Sequence, residues 1–462
     1  MAEEYARSAA AVILAAGQGT RMKSKLQKVL HLVAGVPMVE HVLAALAETG
    51  VPRAVLVVGR NADQVRQALG DRVEYAEQAT QLGTGHAVAQ ARPLLAGRAQ
   101  TILVLCGDTP LIRGATLRSL LDLHAARAPA ITMLTAVAAD PTGYGRIVRD
   151  ERGQVAGIVE EASATPEQRA LNEINSGVYC FRADWVWPRL EGLRLSPKGE
   201  YHLTDLVGVA VAEGETVEAV RLSQAVEAMG INDRVQLAEA EGVARQRVRE
   251  RLMRSGVTFV DPGSCSVDAT VEIGQDTVVL ANTILRGRTI IGADCLLGPG
   301  TVIEDTIVGE RCRLVASFLQ SSVVDDDTTI GPYCHLRPGA HLGPGVELGN
   351  FAEVKRSYLG PGTKMHHFSY IGDAELGANV NVGAGTITCN YDSETRTKSR
   401  TVVEDEVGLG SDTMLVAPVR IGARSTTGAG AVVTRDVPPD SVAYGVPAVI
   451  KRSRRTNASP EA

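Results

Sequence analysis

The first residues that could do chemistry form a glycine-rich loop near the start of the chain. An apolar run at residues 11–14 leads into the loop GQGTR at 17–21, and Lys28 follows it. Glycines let the main chain approach a ligand closely, and successive amide N–H groups can hold phosphate oxygens. The loop is neither a Walker A loop, which ends in GK[ST], nor a GxGxxG fingerprint, because Met22 stands at the last glycine position. Arg21 and Lys28 beside this loop indicate a polyanionic ligand.

A carboxylate stands at the end of a second apolar run. Asp108 follows Gly107 and the run ILVL at residues 102–105. Ligands of parallel sheets bind at the carboxyl ends of strands, where a carboxylate suits Mg²⁺. An Asp after Gly is also a common cap of a turn or helix. The place of Asp108 after a strand favours metal binding.

A second group of polar residues lies between residues 336 and 390 and includes the basic side chains of Arg337, Lys355, His366 and His367. Arg337 and Lys355 are 18 residues apart, which is the length of one coil in a β-helix of hexapeptides. Residues one coil apart stack on the same face. We therefore expect two stacked cations that can clamp a phosphate.

The elements that must position the first group alternate between strands and helices. Short apolar runs at residues 11–14, 54–58, 102–105 and 131–137 predict strands, and the spacing over 37–48 predicts a helix. Continuous apolar runs between helices are typical of a parallel sheet covered on both faces. The first half is therefore expected to be a Rossmann-like α/β domain.

The second half has a period of six. Aliphatic residues recur every six positions from Ile273 to Ile303, then from Ile330 to Val354, and again from Leu359 to Ile371. Six matches neither a strand period of two nor a helix period of 3.6. It predicts a left-handed parallel β-helix of hexapeptide repeats, each repeat forming one flat side of a triangular coil.

The two halves give three expected segments. Residues 1–233 form the α/β domain, 234–255 a linker helix that Asp233 caps, and 256–462 the β-helix with a polar, mobile tail after Lys451. A loop excursion from the coil is expected at 391–400, where the period breaks.

Composition excludes several classes of protein. The 462 residues include 47 glycines but only 4% aromatic residues, without the Gly-X-Y period of collagen. A net charge of −6 disfavours nucleic-acid binding. The seven cysteines contain no CxxC pair, which disfavours a disulfide framework or zinc knuckle and favours a reducing cytoplasm. We expect neither a signal peptide nor a membrane span.

Several motifs together resemble a known family. LAAGQGTRM with Lys28, QLGTGHA at 81–87, Cys106-Gly107-Asp108 and PTGYGR at 141–146 resemble the sugar-1-phosphate nucleotidyltransferases. With the hexapeptide half, residues 9 to 450 resemble the bacterial bifunctional N-acetylglucosamine-1-phosphate uridyltransferases/glucosamine-1-phosphate N-acetyltransferases. The resemblance implies a cytoplasmic homotrimer that joins through its β-helices and supplies UDP-N-acetylglucosamine for peptidoglycan and lipopolysaccharide.

In the first half the resemblance implies a site for UTP and N-acetylglucosamine 1-phosphate. Arg21 and Lys28 would be catalytic residues that hold the triphosphate, and Asp108 with Asn232 would hold Mg²⁺. Gln78, Gly83 and Thr84 would read uracil, and Gly143, Glu160 and Asn175 would bind the sugar. The full set of residues expected at this site is Leu14, Ala15, Ala16, Gly17, Lys28, Gln78, Gly83, Thr84, Cys106, Gly107, Asp108, Gly143, Glu160, Asn175 and Asn232.

In the second half the resemblance implies acetyl transfer from acetyl-CoA to glucosamine 1-phosphate. His367 would be the general base, oriented by Glu353. The sugar phosphate would contact Arg337, Lys355, Tyr370 and Asn381. The coenzyme would contact Ala384, Asn390, Tyr391, Ser411 and Ala429.

The chain departs from the family pattern at three places. Gln18 stands where a Lys is frequent, and Cys106 where a Tyr is frequent. No Arg stands near residues 445–447, where a coenzyme-binding Arg occurs in Gram-negative members. Lys451 and Arg452 are the candidates to replace it.

Three rival functions remain. A zinc carbonic anhydrase of the hexapeptide class could use His335, His341, His366 and His367, but it leaves the first half unexplained. A regulatory subunit without catalysis, or a nucleotidyltransferase whose β-helix only oligomerises, would not need the polar set of both halves. That set is Asp108, Asn232, Lys28, Arg337, Lys355 and His367.

Overall fold

The computed structural model describes residues 2–59, 62–197 and 199–453. The chain forms two compact units, Met1–Ala244 and Arg245–Ala462. Each unit has its own strands, and the division falls within one long helix.

The first unit alternates strands and helices as the sequence predicts. Its helices are α1 Ala2–Arg7, α2 Met38–Ala47, α3 Asp63–Leu69, α4 Thr84–Ala89, α5 Arg92–Leu95, α6 Gly114–Arg127, α7 Pro166–Arg169, α8 Ala183–Glu191, α9 Asp205–Ala212 and α10 Arg234–Arg254. Its strands are β1 Ala9–Ala15, β2 Leu32–Val33, β3 Val36–Pro37, β4 Ala54–Gly59, β5 Glu74–Gln78, β6 Thr101–Cys106, β7 Ile131–Val137, β8 Arg146–Arg149, β9 Val155–Val159, β10 Glu173–Arg182 and β11 Val217–Arg221.

The main sheet has the order β11-β7-β10-β6-β1-β4-β5. Its strands are parallel except β10, which runs antiparallel to both β6 and β7. After β7 the chain forms the β8–β9 hairpin and then returns to the sheet as β10, beside β7. This return needs no long crossover of the kind that joins parallel strands. The expectation of a parallel sheet is therefore confirmed for the run β6-β1-β4-β5 and the pair β11-β7, and wrong for β10.

Both faces of this sheet are covered, which explains the continuous apolar runs. Alternate residues of β1 and β6 enter opposite cores: Val12 and Val104 pack on one side, and Ile13 and Leu105 on the other. All four side chains are buried. The polar residues that follow β1, β5 and β6 therefore lie together at the carboxyl edge of the sheet.

The second unit is a stack of coils with three parallel sheets, here called faces one, two and three. Face one consists of Thr258–Phe259, Val278–Val279, Leu296–Leu297, Arg313–Leu314, Thr329–Ile330, Glu347–Leu348, Lys364–Met365, Asn381–Val382, Gly408–Leu409, Thr426–Thr427, Ser441–Tyr444 and the antiparallel Val449–Ser453. Face two consists of Ser266–Val267, Ile284–Arg286, Val302–Glu304, Phe318–Gln320, His335–Leu336, Ala352–Lys355, Ser369–Gly372, Ile387–Cys389, Met414–Val416 and Val432–Val433. Face three consists of Glu272–Ile273, Ile290–Ile291, Ile307–Val308, Val323–Val324, His341–Leu342, Tyr358–Leu359, Ala374–Leu376, Thr401–Val403 and Val419–Ile421.

The aliphatic residues of the six-residue period point into the coil, and the parallel β-helix is confirmed. Leu336, Leu342 and Leu348 are all buried. The shifts in period come from coils that are one or two residues short, because Leu297 pairs with Leu314, and Leu314 with Ile330. The predicted excursion is a hairpin, Tyr391–Asp392 with Thr397–Lys398.

The start of the long helix and the C-terminal segment refine two expectations. Asp233 accepts hydrogen bonds from the N–H groups of Val235 and Gln236 at the start of α10. The strand Val449–Ser453 extends two residues into the segment expected to be a mobile tail, and residues 454–462 lie outside the described residues. No helix in the described part of the chain is long and apolar enough to cross a membrane.

We expect the first unit to lose stability in mild acid because of His124. This residue lies on the buried face of α6, where its Nδ1 lies 2.7 Å from Thr132 Oγ1. Burial, with the charge of Arg182, lowers the pKa of His124 from 6.5 to about 4. Between these two pH values His124 is protonated in the unfolded chain but neutral in the folded chain. The free energy of unfolding therefore decreases as pH falls. The loss from this group should reach about 2 kcal/mol by pH 5.

The chain offers a selective reporter for this prediction, since both tryptophans, Trp185 and Trp187, lie in α8 of the first unit. Urea unfolding followed by tryptophan fluorescence at pH 7 and pH 5 measures the loss. A His124→Gln variant lacks the titrating group and should lose less over the same interval. Equal losses in the two proteins would contradict the prediction.

Candidate active sites

The glycine-rich loop joins β1 to a short 3₁₀ turn, Thr20–Met22. Gly19 adopts a left-handed conformation with φ of 61°, and a Cβ there would lie 2.7 Å from Lys28 Cβ. Gly19 thus lets the Lys28 side chain pack under the loop. A Cβ on Gly17 would meet no atom within 4 Å, which leaves its main chain open to a ligand. The loop therefore offers exposed backbone directly above a lysine.

Lys28 joins the two residues that the sequence assigns to a metal. Its ammonium group makes a salt bridge with Asp108 Oδ2 and lies 3.1 Å from Asn232 Oδ1. The Lys28 side chain is 12% exposed and that of Asp108 22% exposed. Asp108 follows β6 and Asn232 precedes α10, 124 residues later in the chain. The fold thus brings a carboxylate and an amide oxygen to one point, and a cation already lies there.

A cleft of about 500 Å³ extends from this point. Most of the residues predicted to bind nucleotide line it: Leu14, Ala15, Ala16, Gly17, Arg21, Lys28, Gln78, Gly83, Thr84, Cys106 and Asp108. Gly107 lies beneath them, its N–H 2.9 Å from Leu14 O. A second cleft beside the first includes Gln18, which is exposed.

Sequence reasoning missed three polar residues of the first cleft, Gln81, Glu200 and His202. Gln81 belongs to the QLGTGHA motif, and its amide donates a hydrogen bond to Ala16 O, so it joins that motif to the glycine loop. Glu200 and His202 lie between α8 and α9, where no pattern in the sequence marks a site.

The far end of the cleft is built by a glycine turn and a buried amide. Gln78 ends β5 and is 3% exposed. Its Nε2 donates to Gly83 O at 3.0 Å and lies 3.0 Å from His86 Nδ1. Those contacts fix the side chain and leave its carbonyl Oε1 as the atom to meet a ligand.

The three residues predicted to bind sugar lie beyond the cleft lining and are joined to it by neighbours. Asn175 Oδ1 accepts from Tyr179 Oη at 2.8 Å, and burial, with a contribution from the Glu160 charge, raises the pKa of Tyr179. Gly143 is exposed, with φ of 86°. Burial, with a contribution from the Asp108 charge, raises the pKa of Tyr144, the residue after Gly143.

Cys106 links the cleft to this sugar region. Its thiol lies 3.6 Å from Gly177 O, two residues after Asn175, and a Cβ on Gly177 would approach Cys106 Sγ to 3.0 Å. Burial, with the neighbouring Asp108 charge, raises the pKa of Cys106 to about 12. The thiol is therefore neutral at physiological pH and acts as a small apolar wall.

In the second unit Arg337 and Lys355 stack on face two as the 18-residue spacing predicts. The register pairs Leu336 with Val354, which places Arg337 beside Lys355 on the next coil. Arg337, followed by Lys398, lowers the pKa of Lys355, because like charges nearby disfavour its protonated form. Glu353 forms a salt bridge of 2.9 Å with Arg337, not with the histidine that it was expected to orient.

The two neighbouring histidines occupy the corner between faces one and two. His366 Nε2 lies 2.8 Å from Glu347 Oε2, whereas the exposed His367 ring has no hydrogen-bond partner among the residues that the structure describes. Tyr370 lies on face two beside Glu353, and Asn381 lies exposed on face one beside Lys364. The corner thus carries an available imidazole with polar residues on both sides.

The hairpin adds to this corner. The charge of its residue Lys398 contributes to lowering the pKa values of both Lys355 and Asp373. The sequence analysis assigned no role to Lys398. Asn390, at the base of the hairpin, donates from Nδ2 to Asp373 Oδ2, and Tyr391 is 55% exposed. The interruption of the six-residue period is the signal that could have suggested Lys398.

The remaining residues assigned to the coenzyme lie one above another along the β-helix, each shortly after a strand of face one. Ala384 O accepts from Asp412 N at 2.6 Å, and Ser411 O accepts from Gly430 N at 2.8 Å. Ala384, Ser411 and Ala429 are therefore stacked on successive coils, and the last two are exposed. Lys451, a candidate for the missing Arg, lies with Nζ 5.7 Å from the centre of the Tyr444 ring.

The histidines of the zinc rival do not face one another. His341 pairs with Asp325 at 3.1 Å and His366 with Glu347. Across the described ranges, no three His, Cys, Asp or Glu side chains converge as a metal site would require. All seven cysteines are free thiols.

Two family models match the chain. The nucleotidyl transferase model covers residues 10–226, and the six-repeat model of the bacterial transferase hexapeptide covers 270–305 and 321–356. A nucleotidyltransferase unit followed by hexapeptide transferase repeats fits the uridyltransferase and acetyltransferase activities that the sequence predicts. The chain is a transferase with two activities.

Full-length relatives agree with both halves. The chain is 45% identical to the bifunctional protein GlmU of Shouchella clausii over 97% of each chain. It is 47% identical to that of Heliobacterium modesticaldum, over 96% of this chain and 95% of the relative. It is 48% identical to that of Trichlorobacter lovleyi, over 94% and 95%. The chain therefore belongs to the GlmU family of bifunctional proteins.

Proposed function

We propose that residues 1–233 transfer a uridylyl group from UTP to N-acetylglucosamine 1-phosphate, and that residues 256–462 make this substrate by acetylating glucosamine 1-phosphate. Residues 234–255 link the two domains. The observation that carries the first activity is the convergence of Lys28, Asp108 and Asn232 under an open glycine loop.

The first reaction needs orientation and charge neutralisation rather than a base. A phosphate oxygen of the sugar attacks the α-phosphorus of UTP, the bond to the β-phosphate oxygen breaks, and pyrophosphate leaves. The nucleophile is already an anion, so no proton must be removed. Arg21 and Lys28 hold the triphosphate, and the N–H groups of the loop fix its oxygens.

Asp108 and Asn232 suit Mg²⁺. Both present oxygen atoms to one point, where the Lys28 ammonium also lies. Mg²⁺ prefers such oxygen ligands and keeps its remaining contacts for water and phosphate. When bound, it would supply further neutralisation of phosphate charge, while Lys28 would turn its ammonium towards the triphosphate.

Hydrogen-bonding groups at the far end of the cleft favour uracil. The amide nitrogen of Gln78 is held by Gly83 O and His86, so its Oε1 is left to accept from the uracil N3–H. Cytosine has no proton at that atom and would leave Oε1 without a donor. Gly83 and Thr84 contribute the backbone of the turn, and Gly143, Glu160 and Asn175 bind the sugar hydroxyls and acetamido group.

The second reaction joins the sugar nitrogen to the acetyl group. As the neutral glucosamine amine attacks the thioester carbonyl carbon of acetyl-CoA, the His367 imidazole takes one proton from that nitrogen. The C–S bond then breaks, and the sulfur takes up the proton from His367 and leaves as the coenzyme A thiol. Arg337 and Lys355 bind the sugar phosphate, with Tyr370 and Asn381 on the sugar. Ala384, Asn390, Tyr391, Ser411 and Ala429 contact the coenzyme.

The wider setting follows from the same assignment. We propose a cytoplasmic homotrimer joined through its β-helices, whose product UDP-N-acetylglucosamine enters cell-wall synthesis. The free thiols fit a reducing compartment. The exposed His367 fits a site that a neighbouring subunit completes.

Asp108→Asn should abolish one activity and spare the other. The substitution removes the negative charge but keeps the shape, so uridylyl transfer should fall by about 100-fold or more. Acetyl transfer should persist. Pyrophosphate release and chromatography of acetylated sugar measure the two reactions in the same preparation. Asp122→Asn, an exposed change on α6, is the control. Loss of both activities in a folded protein would contradict the assignment of separate sites.

His367→Ala should have the opposite effect. Removing a general base typically costs about 10²- to 10⁴-fold, so acetyl transfer should fall by that factor while uridylyl transfer is kept. His366→Ala is the matched control, since His366 is adjacent and exposed but bonded to Glu347. If His367→Ala retained acetyl transfer, or if His366→Ala lost as much, His367 would not be the base.

A further inference from the structure

The segment Glu200-Tyr201-His202-Leu203-Thr204 joins two parts of the first site that lie far apart in sequence. It connects α8 to α9. Residues from its two ends and its middle make contacts in three directions: to the glycine turn at 82–85, to the cleft, and to Glu160 after β9.

Its backbone binds the glycine turn. Tyr201 N donates to Leu82 O at 2.8 Å, and Gly85 N donates to Tyr201 O at 2.8 Å. A Cβ on Gly83 would lie 2.7 Å from Tyr201 O, so this close approach requires glycine. Leu203 N donates to Thr84 Oγ1 at 3.0 Å. The segment is therefore held in register along the turn that we assign to uracil.

Its last residue binds the sugar-assigned carboxylate. Thr204 Oγ1 donates to Glu160 Oε1 at 2.9 Å. Thr204 is 8% exposed, and the β-branched side chain has few rotamers, so the hydroxyl is fixed in direction. Glu160 lies just after β9 and is half-buried. This bond holds Oε1 and leaves both lone pairs of Oε2 to accept from a ligand.

We propose that Thr204 is a positioning residue for sugar binding: it fixes the Glu160 carboxylate, and the backbone bonds of Tyr201 and Leu203 to the glycine turn hold Thr204 in place. The proposal rests on the assignment of Glu160 to the sugar. A hydroxyl that donates to one carboxylate oxygen prevents rotation of the group and leaves the other oxygen to accept from a sugar hydroxyl. Without it, Glu160 would sample orientations that face solvent, and each binding event would have to order it again.

The test compares Thr204→Val with Thr204→Ser in the full chain. Valine keeps the shape and removes the donor, whereas serine keeps the donor. Loss of one hydrogen bond to a charged group predicts about a tenfold lower kcat/KM for N-acetylglucosamine 1-phosphate in the valine variant. The change should appear mainly in the KM for the sugar phosphate, with the KM for UTP unchanged. Serine should restore most of the loss.

A second comparison separates positioning from general damage. Tryptophan fluorescence of Trp185 and Trp187 reports whether the first unit is folded in each variant. In a Glu160→Ala background Thr204 has no carboxylate to hold, so adding Thr204→Val should then change the KM for sugar phosphate less than twofold. Equal losses towards UTP and sugar phosphate, or a full tenfold effect in the Glu160→Ala background, would overturn the proposal.

The same variants distinguish the two levels of assignment. If Glu160→Ala raised the KM for sugar phosphate but Thr204→Val did not, the positioning role of Thr204 would be wrong and the sugar role of Glu160 would stand. If Glu160→Ala left that KM unchanged, the sugar assignment would be wrong and the positioning role would be overturned with it.

Discussion

Pairing of parallel strands in fixed register is the constraint on which both sites depend. In the first unit it places the ends of β1 and β6 side by side, because Leu14 pairs with Cys106. The glycine loop and Asp108 follow these residues directly. In the second unit the same kind of pairing sets Leu336 against Val354 and so stacks Arg337 beside Lys355. A shift of one residue would turn these side chains to the opposite face of their sheet.

The chemistry of the first site follows from the opposite charges of Lys28 and Asp108, which the fold brings together. Lys28 packs under Gly19, which has no Cβ to exclude it, and reaches Asp108 and Asn232 from below. The Lys28 ammonium, on a side chain that is 12% exposed, is stabilised without ligand by its ion pair with one carboxylate. When a highly charged triphosphate enters, the same ammonium can leave the carboxylate oxygen for a phosphate oxygen. The salt bridge therefore keeps the site ordered without a ligand. Under the proposed function, its exchange for a phosphate contact would free the Asp108 and Asn232 oxygens for a metal ion.

The sequence was sufficient where a pattern repeats or a motif ends a strand. The six-residue period predicted the β-helix, and the runs before Gly17 and Asp108 predicted strands β1 and β6. It was insufficient where long-range contacts decide. Strand β10 runs antiparallel because the β8–β9 hairpin returns the chain beside β7. No local sequence pattern indicates where that return occurs. Glu200 and His202 enter the cleft only because Tyr201 pairs with the turn at 82–85. Glu353 has the right type to orient a histidine, but its position on the coil above Arg337 gives it a nearer cation.

The charge balance around Lys355 supports the proposal that this corner binds a sugar phosphate. Arg337 is paired with Glu353, and Arg356 with Asp373. Lys355 and Lys398 are additional to these pairs, so the group carries two more cations than carboxylates. The mutual repulsion that lowers the pKa of Lys355 is relieved when an anion arrives, and a phosphate monoester carries close to two negative charges at neutral pH. A carboxylate or a neutral sugar would leave part of that repulsion in place. Without the hairpin, this part of the β-helix would offer three cations, Arg337, Lys355 and Arg356. The hairpin that breaks the six-residue period adds Lys398 as the fourth.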